Sequence, residues 1–521
     1  MRKLAVERFS EYVMPNVATN IVCATLTALV GFLLVPYYID EMGIAAYGIL
    51  PLATSITLYV IILSDEMSKA FSRYLVLAVH GAGPEEEASA VYTTTVCGLA
   101  RAVLAILPAV VLLAIASPFV FQTGGVPASD VQIMFLLILL SALTVSFGSC
   151  FGGIFTASNK LYASHVAKIV YSLVQVSLVL ALFRLYGPSL VHIGTAYIAS
   201  SIIFVLMSWA AARRILPGVR FKRRLYDRRL LRDMGGLGAY TVLTRIGALM
   251  FIQVSLILVN LFLGAAEGGS FALMATMISM TNTACITLTA VITPMLYKNF
   301  NDKKMENLIS ITKTSVRFVG LLMSFPVVYI ILFSPQILSL WGRGEFAGSA
   351  DAVTLMFAIQ VGVCAASVLE TIPVLFLRIK PVAIMTVLAG GVNLVLAAVV
   401  LDCTDWGVLG VAAVWAVDMF VLNFVCYPVF TAKILNVKWH AFLVPMVPGH
   451  VAMAVCAAIG VLALRYCEMP ADWTAILASF AAMLVVYCAV AFKVGLKKED
   501  KSMILAVVPA SLRRVVGRSL R

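Results

Sequence analysis

A chain of 521 residues that is 62% hydrophobic and only 12% charged lacks the charged surface of a soluble protein, in which about a quarter of residues carry charge. Its solvent is the bilayer, and its net charge of +13 reads as Lys and Arg gathered on the cytoplasmic side for topological reasons rather than as a nucleic-acid surface. The ten cysteines form no CxxC and no Cys/His cluster of zinc type, so no metal site is expected; eight read as small core residues, and Cys403 and Cys467 fall in segments placed outside, where a disulfide can form.

A spanning helix needs about 20 mostly apolar residues. In chain order the candidates are 13–38, 44–64, 90–116, 131–154, 165–186, 190–211 and 236–263, then 270–296, 314–333, 350–377, 381–401, 406–430, 442–464 and 472–492. The first begins directly after a charged N-terminal stretch and has no A-x-A-like cleavage site, so it reads as a helix rather than a removed signal. With the N-terminus inside, 33 of the 38 Lys and Arg fall on the inner side, three in outer loops and two, Arg101 and Arg245, within spans. That bias orients the chain with both termini in the cytoplasm.

The pattern specifies an all-α polytopic membrane protein of about fourteen helices, in two six-helix lobes plus a C-terminal helix pair. The expected division is an N-lobe at 1–211, a basic cytoplasmic linker at 212–235 and a C-lobe at 236–433. The extra pair occupies 434–492 and a basic cytoplasmic tail 493–521. The linker, "RRILPGVRFKRRLYDRRLLRD", reads as a solvated connection. The stretches "GIAAYGILPLATSI" (43–56) and "GAAEGGSFALMATMI" (264–278) share a Gly, two small residues, a second Gly and a later Ala-Thr. They stand at the same junction of the two lobes, as in transporters built from similar halves.

Enzyme signatures are missing. The chain has no G-x-x-x-x-G-K-[ST], no H-E-x-x-H and no G-x-S-x-G, so no catalytic residue and no cofactor is expected. A transporter driven by an ion gradient, or from outside the chain, fits better. Polar groups within spans then become informative, because charge in lipid is costly. Asp65, Lys69 and Arg73 are spaced i, i+4, i+8 and share one helix face. From Gly48 to Arg73 that helix covers about 38 Å, more than the roughly 30 Å hydrocarbon core. Its charged end is either an ordinary solvated terminus or part of an inward-open vestibule lined by Lys69 and Arg73.

Arg101, about eleven residues into the third helix, is placed near mid-bilayer, facing a hydrated cavity or a buried partner. Arg245 in the seventh helix either lines the cavity or snorkels to the inner face. Glu370 and Asp418 are the acids within spans. Each either neutralises an arginine, Arg378 being in reach of Glu370, or binds a proton or sodium ion.

The first two helices carry Pro36, then Gly43, Tyr47 and Gly48, then Ala70, Arg73 and Tyr74. This order resembles the polysaccharide flippase family, the Wzx-like branch of the MATE-related exporter superfamily. There an apolar helix ends in Pro, a Gly-x-x-x-Tyr-Gly step follows, and the next helix closes in Ala-x-x-Arg-Tyr. The stretch "LTRIGALMFIQVSLILVNLFLGAAEGGSFALMAT" is similar to the family's second-lobe opening. Two positions depart: Glu66 stands where Gly is common, and Ser255 where Asp is frequent.

The resemblance implies a flippase of the cytoplasmic membrane that moves a polyprenyl-diphosphate-linked oligosaccharide by alternating access, for polysaccharide or lipopolysaccharide biosynthesis. Arg73, Arg101, Arg245 and Lys69 would form a cationic cavity for the diphosphate, since Arg matches phosphate with fork geometry. Asp418, Glu370 and Asp65 would serve ion coupling or charge pairing. The implied partners are the lipid-linked glycan and membrane lipids, with a polysaccharide polymerase and glycosyltransferases nearby; no nucleic acid is implied. The alternative is a MATE-type cation-coupled exporter of drugs or organic cations.

Overall fold

A computed structural model describes residues 2–80, 85–237, 239–342, 344, 347–466 and 470–494. Among these residues there is no strand. Thirteen helical segments are long and apolar enough to cross a membrane. The first, Met14–Val79, has 66 residues, which at 1.5 Å per residue would reach roughly 100 Å, three times the hydrocarbon thickness. It folds at Gly43, where φ is 78° and ψ 164°, a conformation only glycine adopts cheaply. The thirteen segments therefore make fourteen helices, as the apolar pattern required.

Contacts divide the chain into two compact units, Met1–Ala272 and Leu273–Arg521. The first holds α1 (Arg2–His80), α2 (Glu85–Val120), α3 (Ala128–Gly148), the short α4 (Gly152–Ala157), α5 (Tyr162–Tyr186) and α6 (Leu190–Ile215). It continues through α7 (Arg228–Leu237), α8 (Ala239–Leu249), a π-helical turn at Met250–Val254, α9 (Ser255–Leu263) and the first turns of α10 (Ala265–Asn301). The seventh span is thus packed with the first six. α6 starts on Ser189, whose Oγ accepts from the Val191 N–H at 3.2 Å, and ends on Arg213 and Arg214. A hydroxyl cap at one end and cations at the other satisfy both poles of the helix dipole.

α2 has 36 residues, about 54 Å of helix, so it outruns the bilayer along with the second half of α1. The overhang builds a small core of its own. Phe71 and Leu75 of α1 are fully buried there with Leu99 of α2, Phe151, Phe155 of α4 and Met234 of α7. Gly153 gives Phe71 its seat, since a Cβ there would lie 2.3 Å from the ring. The linker is tethered to this core rather than free in solvent. Ser89, Thr93 and Thr94 of α2 accept from the backbone N–H groups of Arg220, Lys222 and Asp227 at 3.3, 3.0 and 3.1 Å. Asp227 then caps α7, accepting from the Arg229 N–H at 2.7 Å.

The second unit comprises the rest of α10, α11 (Met305–Trp341), α12 (Ala350–Ala358), α13 (Gln360–Ala366), α14 (Thr371–Leu375), α15 (Ile379–Cys403) and α16 (Gly407–Phe420). A π-turn at Val421–Cys426 leads into α17 (Tyr427–Ile434), and 3-10 turns lead into α18 (Val447–Tyr466), followed by α19 (Trp473–Val494). α11 bends at Phe333, next to Pro335, whose ring cannot continue a helical hydrogen-bond ladder. Cys285 of α10 and Cys364 of α13 form a disulfide, their Cα atoms 5.6 Å apart. This corrects the reading of both as plain core residues. Cys403 is an exposed free thiol, while Cys467 and residues 495–521 of the tail lie outside the described residues.

α19 is fastened to α11 by two tyrosines. Tyr487 donates to the Leu321 carbonyl and shares a 2.7 Å hydrogen bond with Ser324, and Tyr329 donates to the Ile476 carbonyl at 2.6 Å. Phe325 and Phe480 pack edge to face between them, centroids 4.9 Å apart. A buried hydroxyl left without its partner costs roughly 1–3 kcal/mol. Tyr487→Phe should therefore lower stability by about 1 kcal/mol in an SDS-unfolding titration, because it removes the donor but keeps the ring. Tyr487→Ala should cost several times more.

Candidate functional site: an ion-pair cluster in the first unit

The charged row of α1 meets α8. Glu66, only 7% exposed, accepts from Lys69 one turn away at 2.5 Å and pairs with the Arg245 guanidinium at 3.5 Å. Arg245 also reaches Asp65 at 3.7 Å, both side chains being about half exposed. Lys168 of α5 acts on Asp65 through space. Arg73, two turns on from Asp65, is exposed and has no ion pair among the described residues. Three cations, Lys69, Lys168 and Arg245, thus gather around two carboxylates, a surplus of one positive charge, and Arg73 adds a further cation two turns along the same helix. Arg245 is a paired residue rather than a free cation in this arrangement.

Lys168 also opens onto a cavity of about 260 Å³ inside the first unit, together with Thr27, Thr57, Ser141, Tyr171 and Tyr197. Its wall is rich in hydroxyls and carries no carboxylate. Just beyond Arg245 the seventh span loosens into its π-turn, a feature often found where helices must adapt at functional sites.

Arg101 stands apart. Its guanidinium lies over the Tyr226 ring, 4.4 Å from the centroid, and donates to the Tyr226 hydroxyl. Tyr226 belongs to the linker, so Arg101 sits at the linker side of the membrane and not near its middle. The sequence reading started the third helix at 90; the helix begins at Glu85 and its first turns lie in the overhang, which moves Arg101 toward the surface. The structure brings Asp65, Lys69 and Arg245 together and leaves Arg101 on a separate cation–π contact.

Two residues outside the expected set matter here, Glu66 and Lys168. Glu66 was legible as the i, i+3 partner of Lys69, and Lys168 as a cation near a span end. In the second unit Asp418 is 8% exposed and has one carboxylate oxygen with no partner among the described residues. No ion pair joins Asp418 to a cation, or Glu370 to Arg378, among those residues. Gln360 donates to Asn282 at 2.7 Å, a helix-joining role of the kind common for amides in membranes.

Comparison with known proteins agrees with this architecture. The chain is 24% identical over 493 residues to an uncharacterized membrane protein, EpsK, of Bacillus subtilis (strain 168), covering 94% of this chain and 97% of that one. It superposes on an inward-facing multidrug resistance MATE family transporter of the MOP superfamily with a TM-score of 0.67 at 14% identity, over 83% of this chain and 95% of that one. It superposes on the lipid II flippase MurJ, in an inward closed conformation, with a TM-score of 0.65 at 15% identity, over 91% and 97%. At these identities the two structures define the fold. The family model described as "polysaccharide biosynthesis protein" matches residues 13–300, more than half of the sequence, and the chain belongs to that family.

Proposed function

We propose that this protein is a flippase that carries a polyprenyl-diphosphate-linked oligosaccharide across the cytoplasmic membrane. The N-lobe (1–211) and C-lobe (236–433) would alternate access, with both termini and the linker in the cytoplasm. The observation that carries the reading is the charge surplus beside the Glu66–Arg245 pair. Among the described residues Arg73 forms no ion pair and Lys168 shares Asp65 with Arg245, and a diphosphate supplies the missing anion. A site for an organic cation would need the opposite surplus. Family membership and the MurJ-like fold support the same substrate class.

Asp418 is the candidate for coupling to a proton or sodium ion, because a buried carboxylate with no cationic partner among the described residues calls for one or the other. Arg101 is reassigned to positioning the linker. A polymerase and glycosyltransferases remain the expected neighbours in the pathway.

The test is translocation in proteoliposomes of a fluorescent polyprenyl-diphosphate oligosaccharide, read by dithionite bleaching of the outer leaflet. The wild type should expose label from the inner leaflet. Arg73→Ala/Lys168→Ala should slow it at least tenfold. Asp418→Asn should abolish stimulation by an imposed ion gradient while sparing gradient-free exchange. Efflux of an ethidium-like cation, lost in Asp418→Asn and unaccompanied by glycan-lipid movement, would instead establish the exporter.

A further inference from the structure

The second unit carries an apolar groove of about 560 Å³ between α16–α17 and α18. Its floor is Phe424, stacked on Phe420 with centroids 4.8 Å apart and set edge-on to His450 at 5.3 Å. The π-turn at Val421–Cys426 presents Phe424 there, and Gly362 of α13 makes room behind it, since a Cβ on Gly362 would lie 1.9 Å from the ring. His450 adds no free donor on its Nδ1 side, because Nδ1–H is donated to the Met446 carbonyl at 2.9 Å. Phe420, Val425 and Val447 are each about half exposed within spanning segments, so the groove opens toward lipid.

One end of this groove is different. Trp439 lines it and is 62% exposed. It is the first residue of the span Trp439–Tyr466, a few residues after the span Gly407–Ile434 ends, and indole rings concentrate at such span ends. Val429 lines the groove and Lys433 follows it by one turn of α17 on the same face. Lys438 and His440 flank Trp439, and all three basic side chains are exposed. From 419 to 467 the sequence contains no Asp or Glu, and no ion pair joins these side chains to a carboxylate among the described residues.

We propose that this groove is a binding site for one anionic glycerophospholipid, an acyl chain lying along Phe424 and the phosphate resting on Lys433 and Lys438. An apolar channel with a basic rim between membrane helices is the chemistry that selects anionic headgroups. The groove has room for a single acyl chain and not for a polyprenyl chain several times longer. The site is therefore distinct from the transported substrate's, and it stands whether or not the proposed function does.

Native mass spectrometry of the full-length protein tests this. The protein is released from micelles holding equal amounts of dioleoyl phosphatidylglycerol and dioleoyl phosphatidylcholine, which share their chains. Retention of one phosphatidylglycerol in clear excess is the expected result. Lys433→Gln/Lys438→Gln, two exposed substitutions that leave the packing untouched, should cut that retention at least tenfold, about fivefold for each lysine, and leave phosphatidylcholine unchanged. Equal retention of the two lipids, or unchanged retention in the double variant, would overturn the proposal. So would displacement of phosphatidylglycerol by equimolar polyprenyl phosphate, which would give the groove to the substrate's tail.

Discussion

Glu66→Gln and Arg245→Ala should move the apparent KM for the lipid-linked glycan in opposite directions. The cluster of Asp65, Glu66, Lys69, Lys168 and Arg245 carries a surplus of one positive charge. Glu66→Gln raises that surplus by one and Arg245→Ala lowers it by one. At about 8 Å and an effective dielectric of about 40, two unit charges interact by about 1 kcal/mol. A diphosphate bearing two charges therefore gains or loses about 2 kcal/mol, which salt screening trims toward a tenfold change in KM. Glu66→Gln should tighten binding and Arg245→Ala weaken it by about that factor.

Stability should separate from this effect. Breaking a fully buried ion pair costs about 3–5 kcal/mol, but Lys69 is 55% and Arg245 45% exposed, so water screens most of that. Each variant should remain folded, with a loss nearer 1 kcal/mol. If both variants instead shifted KM in the same direction, the pair would be structural and the diphosphate would bind elsewhere. The translocation assay with a titrated substrate concentration decides between the two.

How much of this was legible beforehand follows from what a sequence encodes about membranes. The fourteen helices could be counted because each crossing needs its own apolar run, and the fold at Gly43 was marked by a glycine between two such runs. The repeat at 43–56 and 264–278 proved to have a structural counterpart: Gly43 and Gly264 adopt the same unusual backbone, with φ 78° and 103° and ψ 164° and 177°.

Depth was less legible. Nothing in "VCGLARAVLAIL" says that the helix starts before the membrane does, so Arg101 was put too deep. Azimuth was not legible at all. Glu66 and Arg245 are 179 residues apart, and hydropathy fixes which end of the membrane each is near but not which way it faces. The same blindness hid the Cys285–Cys364 bridge, since both residues sit in apolar runs at no informative spacing.

Gly48→Ala should be among the most damaging one-carbon additions in the chain. A Cβ at Gly48 would lie 2.0 Å from the Ala265 carbonyl oxygen, 3.0 Å from its carbon and 3.1 Å from the Gly269 nitrogen. All three atoms are backbone, so no side chain can rotate away and α1 must part from α10 by more than 1 Å. Hydrogen bonds close by tie the segment after α2 to α9, which leads into α10. Gln122 and Asn260 exchange two hydrogen bonds, each 3.1 Å, and Gln122 donates a third to the Leu261 carbonyl at 2.8 Å. Overpacking commonly costs about 1–3 kcal/mol, and a clash against rigid backbone belongs at the top of that range. The series Gly31→Ala, Gly269→Ala, Gly48→Ala grades the clash. A Cβ meets nothing within 4 Å at Gly31, and at Gly269 its nearest neighbour is the Ile44 carbonyl oxygen at 3.3 Å. The thermal midpoint, read by size-exclusion chromatography after heating, should stay level for the first variant, fall slightly for the second and fall by many degrees for the third. Gly48→Val should leave little folded protein. A Gly48→Ala variant as heat-stable as Gly31→Ala would mean that the two helices are not held in contact here, and that this junction opens at little cost.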